Sequence, residues 1–172
     1  HIDVTDQDNQ SRKNLIDALE DISVLDPTSS AILYPGDFTD SGSEAQYKAF
    51  YDIVGEYNFT NAIVALGNHD VRWLCSSSDR NPASPNVPTC KYGTSPFKER
   101  YLKYNQPYMN GVEDKLYFDN WINDYHFITL NTETDLKDNA YLSTEQLDWL
   151  KDVIKERASR DKPIFIQIHQ TF

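Results

Sequence analysis

Two short polar clusters, Pro35-Gly36-Asp37-Phe38-Thr39-Asp40 and Gly67-Asn68-His69-Asp70, constrain this chain more than any other feature. Each follows directly on an apolar run, Ala31 to Tyr34 in the first case and Ala62 to Leu66 in the second. Such runs read as buried parallel strands, and α/β proteins place their chemistry at the C-terminal tips of such strands. A third run, Pro163 to Ile168, ends at His169. Three strand tips therefore present Asp37, Asn68 with His69, and His169. That is an oxygen and nitrogen metal site in outline.

The rest of the chain supplies the connections. Leu15, Ile16, Leu19 and Ile22 recur at helical spacing and predict a helix over 10–24, with Pro27 beyond its end. Ser43 and Gln46 form a capping-box pattern that opens a second helix, running to about Tyr57 with Tyr47, Phe50, Tyr51 and Val54 inward. Residues 71–95 lack periodicity, hold Pro82, Pro85, Pro88 and Gly93, and read as a long loop insertion beside the site. A short helix over 96–105, ended by Pro107, precedes a turn at Asn110-Gly111. Strands are expected at 115–119 and 125–131, joined by a hairpin loop from Asp119 to Asp124. Ser143 caps a last helix with Gln146 completing a box, and Leu147, Leu150, Val153 and Ile154 on its apolar face. The expected architecture is a mostly parallel sheet with helices on its faces. The hairpin either extends that sheet or starts a second one.

At 172 residues the chain suits one domain. It carries 27 acidic and 16 basic residues, a net charge of -11, and no Lys/Arg cluster. A strong nucleic-acid surface is not expected from that balance. No stretch has the length and apolarity of a membrane span. The sequence starts at His1 rather than Met, so it reads as a piece of a longer or processed protein. Cys75 and Cys90 flank a Ser-, Pro- and Asn-rich loop, and they either close it as a disulfide or stand as two thiols. Pairing implies an oxidising compartment, and an extracytoplasmic location is the preferred expectation. Asn58-Phe59-Thr60 fits a glycosylation sequon, a pattern common by chance.

Each site residue also has a plain structural reading. Asp37 after Gly36 fits a turn, Asn68 an Asx-turn, and His169 a hydrogen-bonded residue at a sheet end. His126, within the hairpin pattern, reads as structural, and Tyr34, Trp73 and Trp149 read as packing residues. The joint arrangement favours chemistry. A carboxylate such as Asp37 can bridge two cations, Asn68 offers a carbonyl, and His169 a nitrogen, a set suited to Mn, Zn or Fe rather than calcium. Two cations about 3.5–4 Å apart can clamp both oxygens of a phosphate displacement. His69 is placed to donate a proton or a hydrogen bond, with Asp70 holding its ring. Asp40 either orients a ligand or caps the following turn.

On these motifs the chain resembles the calcineurin-like metallophosphoesterases. Gly36-Asp37 and Gly67-Asn68-His69-Asp70 match the family's two central motifs, and His169 matches its late histidine, with Gln170 where many members carry another histidine. Tyr141-Leu142-Ser143, Gln146 and Trp149-Leu150 resemble the helix before it. The resemblance implies a two-sheet α/β/β/α sandwich flanked by helices, here apparently truncated at both ends, as a single incomplete domain over 1–172. It implies two divalent or trivalent metal ions, with Asp37 bridging them and Asn68 and His169 on the second. His69, supported by Asp70, would contact the phosphate and assist the leaving group. His1 stands where the family's first motif has its histidine. The implied reaction is hydrolysis of small or nucleotide phosphomonoesters or phosphodiesters by a metal-bound hydroxide. The family's first aspartate and its Gly-His-x-His motif have no counterpart within these residues, so the isolated piece is expected to be weak or inactive. Asp40 occupies the place of the iron-binding tyrosine of purple acid phosphatases, so an iron–tyrosinate centre is not expected. The alternative is a catalytically inactive scaffold or metal-binding domain with the same fold.

Overall fold

The structure is a computed structural model that describes residues 8–57, 61–71, 80–81, 84–88, 97–109, 114–134, 139–156 and 161–170. His1, the Asn58 sequon, the Asn110-Gly111 turn, Trp73 and both cysteines lie outside the described residues.

Helix α1 (Gln10–Leu25) starts at Asn9, whose Oδ1 accepts from the backbone N–H of Ser11 at 2.9 Å. It buries Leu19 and rests Leu15 against the core. Strand β1 (Ile32–Tyr34), helix α2 (Glu44–Glu56) and strand β2 (Ala62–Val64) then form a parallel βαβ unit, with Leu33 opposite Ile63. The capping box at α2 is present in both halves: Ser43 accepts from Gln46 N–H, and the Gln46 side chain accepts from Ser43 N–H. The helix buries Tyr47, Phe50, Tyr51 and Val54 as its spacing predicts, and Ile53 as well. Replacing Ser43 by alanine removes one half of that box. The expected loss is about 1 kcal/mol of stability, read as a lower urea midpoint at unchanged m-value.

The 71–95 segment contains, among the described residues, a short antiparallel pair, β3 (Arg80–Asn81) and β4 (Ser84–Pro88). Helix α3 (Phe97–Asn105) follows. Pro107 does not simply end it, because the chain continues as one 3-10 turn over Gln106–Tyr108 with that proline inside. Proline is tolerated at the start of such a turn, where its missing N–H has no bond to make.

The hairpin differs from expectation in register. Strand β5 (Phe118–Ile122) and strand β6 (Tyr125–Thr129) leave only Asn123 and Asp124 between them. Both have positive φ, 51° and 63°, the backbone of a tight two-residue turn that matches strand twist. Residues 119–122 are therefore strand rather than loop. Helix α4 (Thr144–Val153) then leads to strand β7 (Ile164–Gln167), which pairs parallel with β6. The hairpin thus founds a second sheet, ordered β5-β6-β7, and the late strand joins it instead of β1-β2.

Phe118 and Ile122 of the second sheet share one buried cluster with Ile63, Val64 and Phe50 from the first sheet and its helix. Trp149 of α4 lies 4.8 Å from Tyr117 beside the second sheet. This is an α/β fold in which the β1-β2 and β5-β6-β7 sheets share a core with flanking helices, and β3-β4 forms a separate short pair among the described residues. β2 is fully buried, as read from its sequence, but β1 and β7 are not: Leu33, Phe165 and Ile166 are exposed. No helix among the described residues is long and apolar enough to cross a membrane.

Candidate functional site at three strand tips

The chain leaves β1 through Pro35 and turns at Gly36, whose φ is 97°. Asp37 follows in the left-handed region at φ 55°, a conformation that costs a non-glycine residue of order 1–3 kcal/mol. The surroundings hold it there. Its backbone N–H donates to Asp70 Oδ2 at 2.8 Å, and its Oδ1 accepts from His69 N–H at 2.9 Å. The loops after β1 and β2 are pressed together at glycines. A Cβ on Gly36 would stand 2.7 Å from Gly67 N and 2.8 Å from His169 Nδ1, and one on Gly67 would collide with the Asp37 backbone and carboxylate.

Asp70 is the staple between the two loops. It is fully buried, and its carboxylate accepts from the N–H of Asp37, Gly67 and Thr39 and from the Thr39 hydroxyl, at 2.7–2.8 Å. This corrects its expected role. The His69 ring is not on Asp70; its Nδ1 lies 2.5 Å from the Asp40 carbonyl. A carbonyl only accepts, so Nδ1 carries the proton, and Nε2 is the acceptor of the neutral ring. Burial, and then the neighbouring Asp37 carboxylate, push the Asp70 carboxyl up to about 7, against the pull of its four donors.

His169 arrives from the tip of β7 in the other sheet. Its Nδ1 donates to the Pro35 carbonyl at 2.8 Å, which turns Nε2 toward Asp37 Oδ1 at 3.4 Å. Both groups are partly open, with side chains 25% and 17% exposed. With Nδ1–H committed, a neutral ring points a lone pair at a carboxylate oxygen, and the pair needs a proton or a cation between them. A histidine whose far nitrogen is tied to a carbonyl is how proteins orient metal-binding imidazoles. Asp37 and His169 therefore fit a cation with mixed oxygen and nitrogen ligation, and Asn68, beside His69 in the chain, carries a further carbonyl oxygen. Among the described residues, no three His, Cys, Asp or Glu side chains converge as a metal cluster. An asparagine lies outside that count, and His1 lies outside the described residues.

Asp37, His69, Asp70 and His169 thus meet at the tips of β1, β2 and β7. Gln170 turns away, donating to the Asn139 carbonyl at 3.2 Å. His126 is structural in its contacts: it is buried, bonded to Asp119 at 2.7 Å and stacked on Trp121 at 4.3 Å. Thr39 escaped the sequence reading as a site residue, although a small hydroxyl two residues after a strand-tip aspartate is the available signal. A cleft of about 340 Å³ opens elsewhere, between Asp26, Ser29, Leu33 and the Asn123 turn, and holds none of these groups.

No curated protein matches the sequence. The family profile described as calcineurin-like phosphoesterase matches residues 1–172, the span that carries the strand-tip loops, the Asp70 staple and His169. The chain therefore belongs to the calcineurin-like phosphoesterases, a family of metal-dependent phosphoester hydrolases.

Proposed function

We propose that these strand tips hydrolyse small or nucleotide phosphoesters at a dinuclear metal centre. The observation that carries this reading is the His169 Nε2 to Asp37 Oδ1 approach, with the far histidine nitrogen tied to Pro35. Asp37 would hold both ions, Asn68 and His169 one of them, and His1 the other. When bound, the ions supply Lewis-acid charge at the phosphoryl oxygens and lower the pKa of water. The chain's own groups do the rest. His69, held through Nδ1 by Asp40, directs Nε2 at the substrate, where the protonated ring stabilises a phosphoryl oxygen and gives its proton to the leaving oxygen. Asp70 fixes the distance between the loops that carry Asp37 and His69.

We also propose that the segment 71–95, which follows His69 and Asp70 directly in sequence, sets substrate choice. Exchanging it should change the relative rates among esters and leave metal content alone.

The test is hydrolysis of a nitrophenyl phosphomonoester and a bis-nitrophenyl phosphodiester by the full-length protein with added Mn, Zn or Fe. We expect His69→Ala to lower kcat by about 10²–10⁴-fold with metal retained. Asp37→Ala should lose both metal and turnover. The ratio of the two rates separates monoesterase from diesterase. The second reading is a non-catalytic metal-binding scaffold with the same fold. Metal binding without turnover on any ester would select it.

A further inference from the structure

The exit of β2 is gripped from the second sheet by a buried amide. Leu66 lies two residues past the end of β2 and directly before Gly67, and its N–H has left the strand ladder. Asn131 Oδ1 accepts from that N–H at 2.7 Å. The Asn131 Nδ2 donates to the Leu116 carbonyl at 2.6 Å and to the Tyr101 hydroxyl at 3.2 Å. Tyr101 in turn donates to the Val64 carbonyl at 2.5 Å. So Asn131 and Tyr101 hold two neighbouring points of the segment that leads into Asn68 and His69. Asn131 is itself clamped by Gln146, which accepts from its N–H at 3.1 Å and donates to its carbonyl at 3.0 Å. Asn131, Tyr101 and Gln146 are all fully buried.

The orientation of the amide follows from its partners. Turned over, Asn131 would set its NH2 against the Leu66 N–H and its oxygen against the Leu116 carbonyl, losing bonds at both ends. Each polar atom of its side chain is used once or twice, and each partner is main chain or a buried hydroxyl. Such an arrangement is demanding, since a buried donor or acceptor left alone is costly. It serves packing less well than a leucine of similar size, but it fixes one position of the β2 exit.

We propose that Asn131 is a positioning residue for the candidate metal loop, holding the β2 exit so that Asn68 and His69 are presented to Asp37. The proposal rests on the metal-site reading above. It also predicts a property of the metal-free protein, so the two can fail separately.

Native-state amide exchange, followed by NMR on the full-length metal-free protein, is the test. Gly67, His69 and Asp70 all donate backbone hydrogen bonds and so report on the loop. In Asn131→Ala their exchange should rise about ten-fold more than that of α2 amides, because the loop opens locally. Mn²⁺ affinity should fall about 10- to 100-fold, as for other residues that orient metal ligands. Tyr101→Phe keeps the Asn131 to Leu66 bond and should give a smaller rise confined to the same amides. An equal rise at the loop and α2 in Asn131→Ala, with Mn²⁺ affinity unchanged, overturns the proposal. If Asn131→Ala does not fold, Tyr101→Phe decides by the same comparison. Wild type that binds no Mn²⁺ and hydrolyses no ester refutes the metal-site reading instead, and the exchange comparison still decides on Asn131.

Discussion

Gly67→Ala is expected to abolish metal binding and to destabilise the fold by about 1–3 kcal/mol, the range for forcing an extra methyl into a packed site. The methyl would occupy the space of the Asp37 backbone N and Oδ1, and would stand 2.8 Å from its Cγ. Asp37 has nowhere to retreat. Its N–H is bonded to Asp70, its Oδ1 accepts from His69, and its φ of 55° already lies in a sparse region. Calorimetric titration with Mn²⁺ alongside urea unfolding checks both halves of the expectation. Gly55 provides the contrast. It lies in the last turn of α2, and the nearest atom to an added Cβ is the Tyr108 hydroxyl at 3.9 Å. Gly55→Ala should therefore stabilise the protein by about 0.5–1 kcal/mol and leave metal binding intact. Equal behaviour of the two variants would remove the steric argument for the site.

Asp70→Ala should cost about 3–5 kcal/mol, a value reached when a buried polar network is broken. Three backbone N–H groups and the Thr39 hydroxyl lose their acceptor at once, and the two loops keep only the Asp37 carboxylate to His69 N–H bond of the carboxylate bonds described between them. Asp70→Asn keeps the shape but turns an NH2 toward donors, so it should also destabilise. The asparagine variant isolates a pH effect as well. The Asp70 carboxyl rises from 3.8 to about 7 in the fold, so the folded protein holds this proton more tightly than the unfolded chain. Its contribution in the metal-free protein is complete below about pH 4 and is lost as pH rises through about 7. The stability of the metal-free wild type should therefore fall over that window more steeply than that of Asp70→Asn. Parallel urea midpoints across the window would contradict the assignment.

Much of this site could be read from residue order because strand tips leave strong local marks. An apolar run followed by Gly-Asp, and another followed by Gly-Asn-His, identify loops that turn sharply at a sheet edge. The α2 cap was equally plain, since Ser43 and Gln46 need only each other. What was not legible depends on partners far along the chain. Asp70 follows His69 in sequence, yet its carboxylate turns into the Asp37 to Thr39 loop, where the N–H groups of Asp37, Thr39 and Gly67 all donate to it. Gln146 resembles half of a capping box, and Ser143 does cap its N–H at 3.1 Å, but its amide is claimed by Asn131 and Glu133. The hairpin turn is shorter than the 119–124 loop its sequence predicts, because Asn123-Asp124 alone supports the paired positive φ values of a two-residue turn and residues 119–122 pair as strand. The exposure of Leu33 in β1 and of Phe165 and Ile166 in β7 was not legible either, because an apolar strand sequence does not specify which of its faces another element covers.

The central claim is that Asp37 and His169, brought from two sheets, share a cation. Calorimetric titration of Mn²⁺ into the full-length wild type, His169→Ala and Asp37→Ala tests it most directly. The account predicts saturable binding in the wild type, weakened about 10- to 100-fold or more in His169→Ala and lost in Asp37→Ala. Wild-type affinity retained in both variants would contradict it.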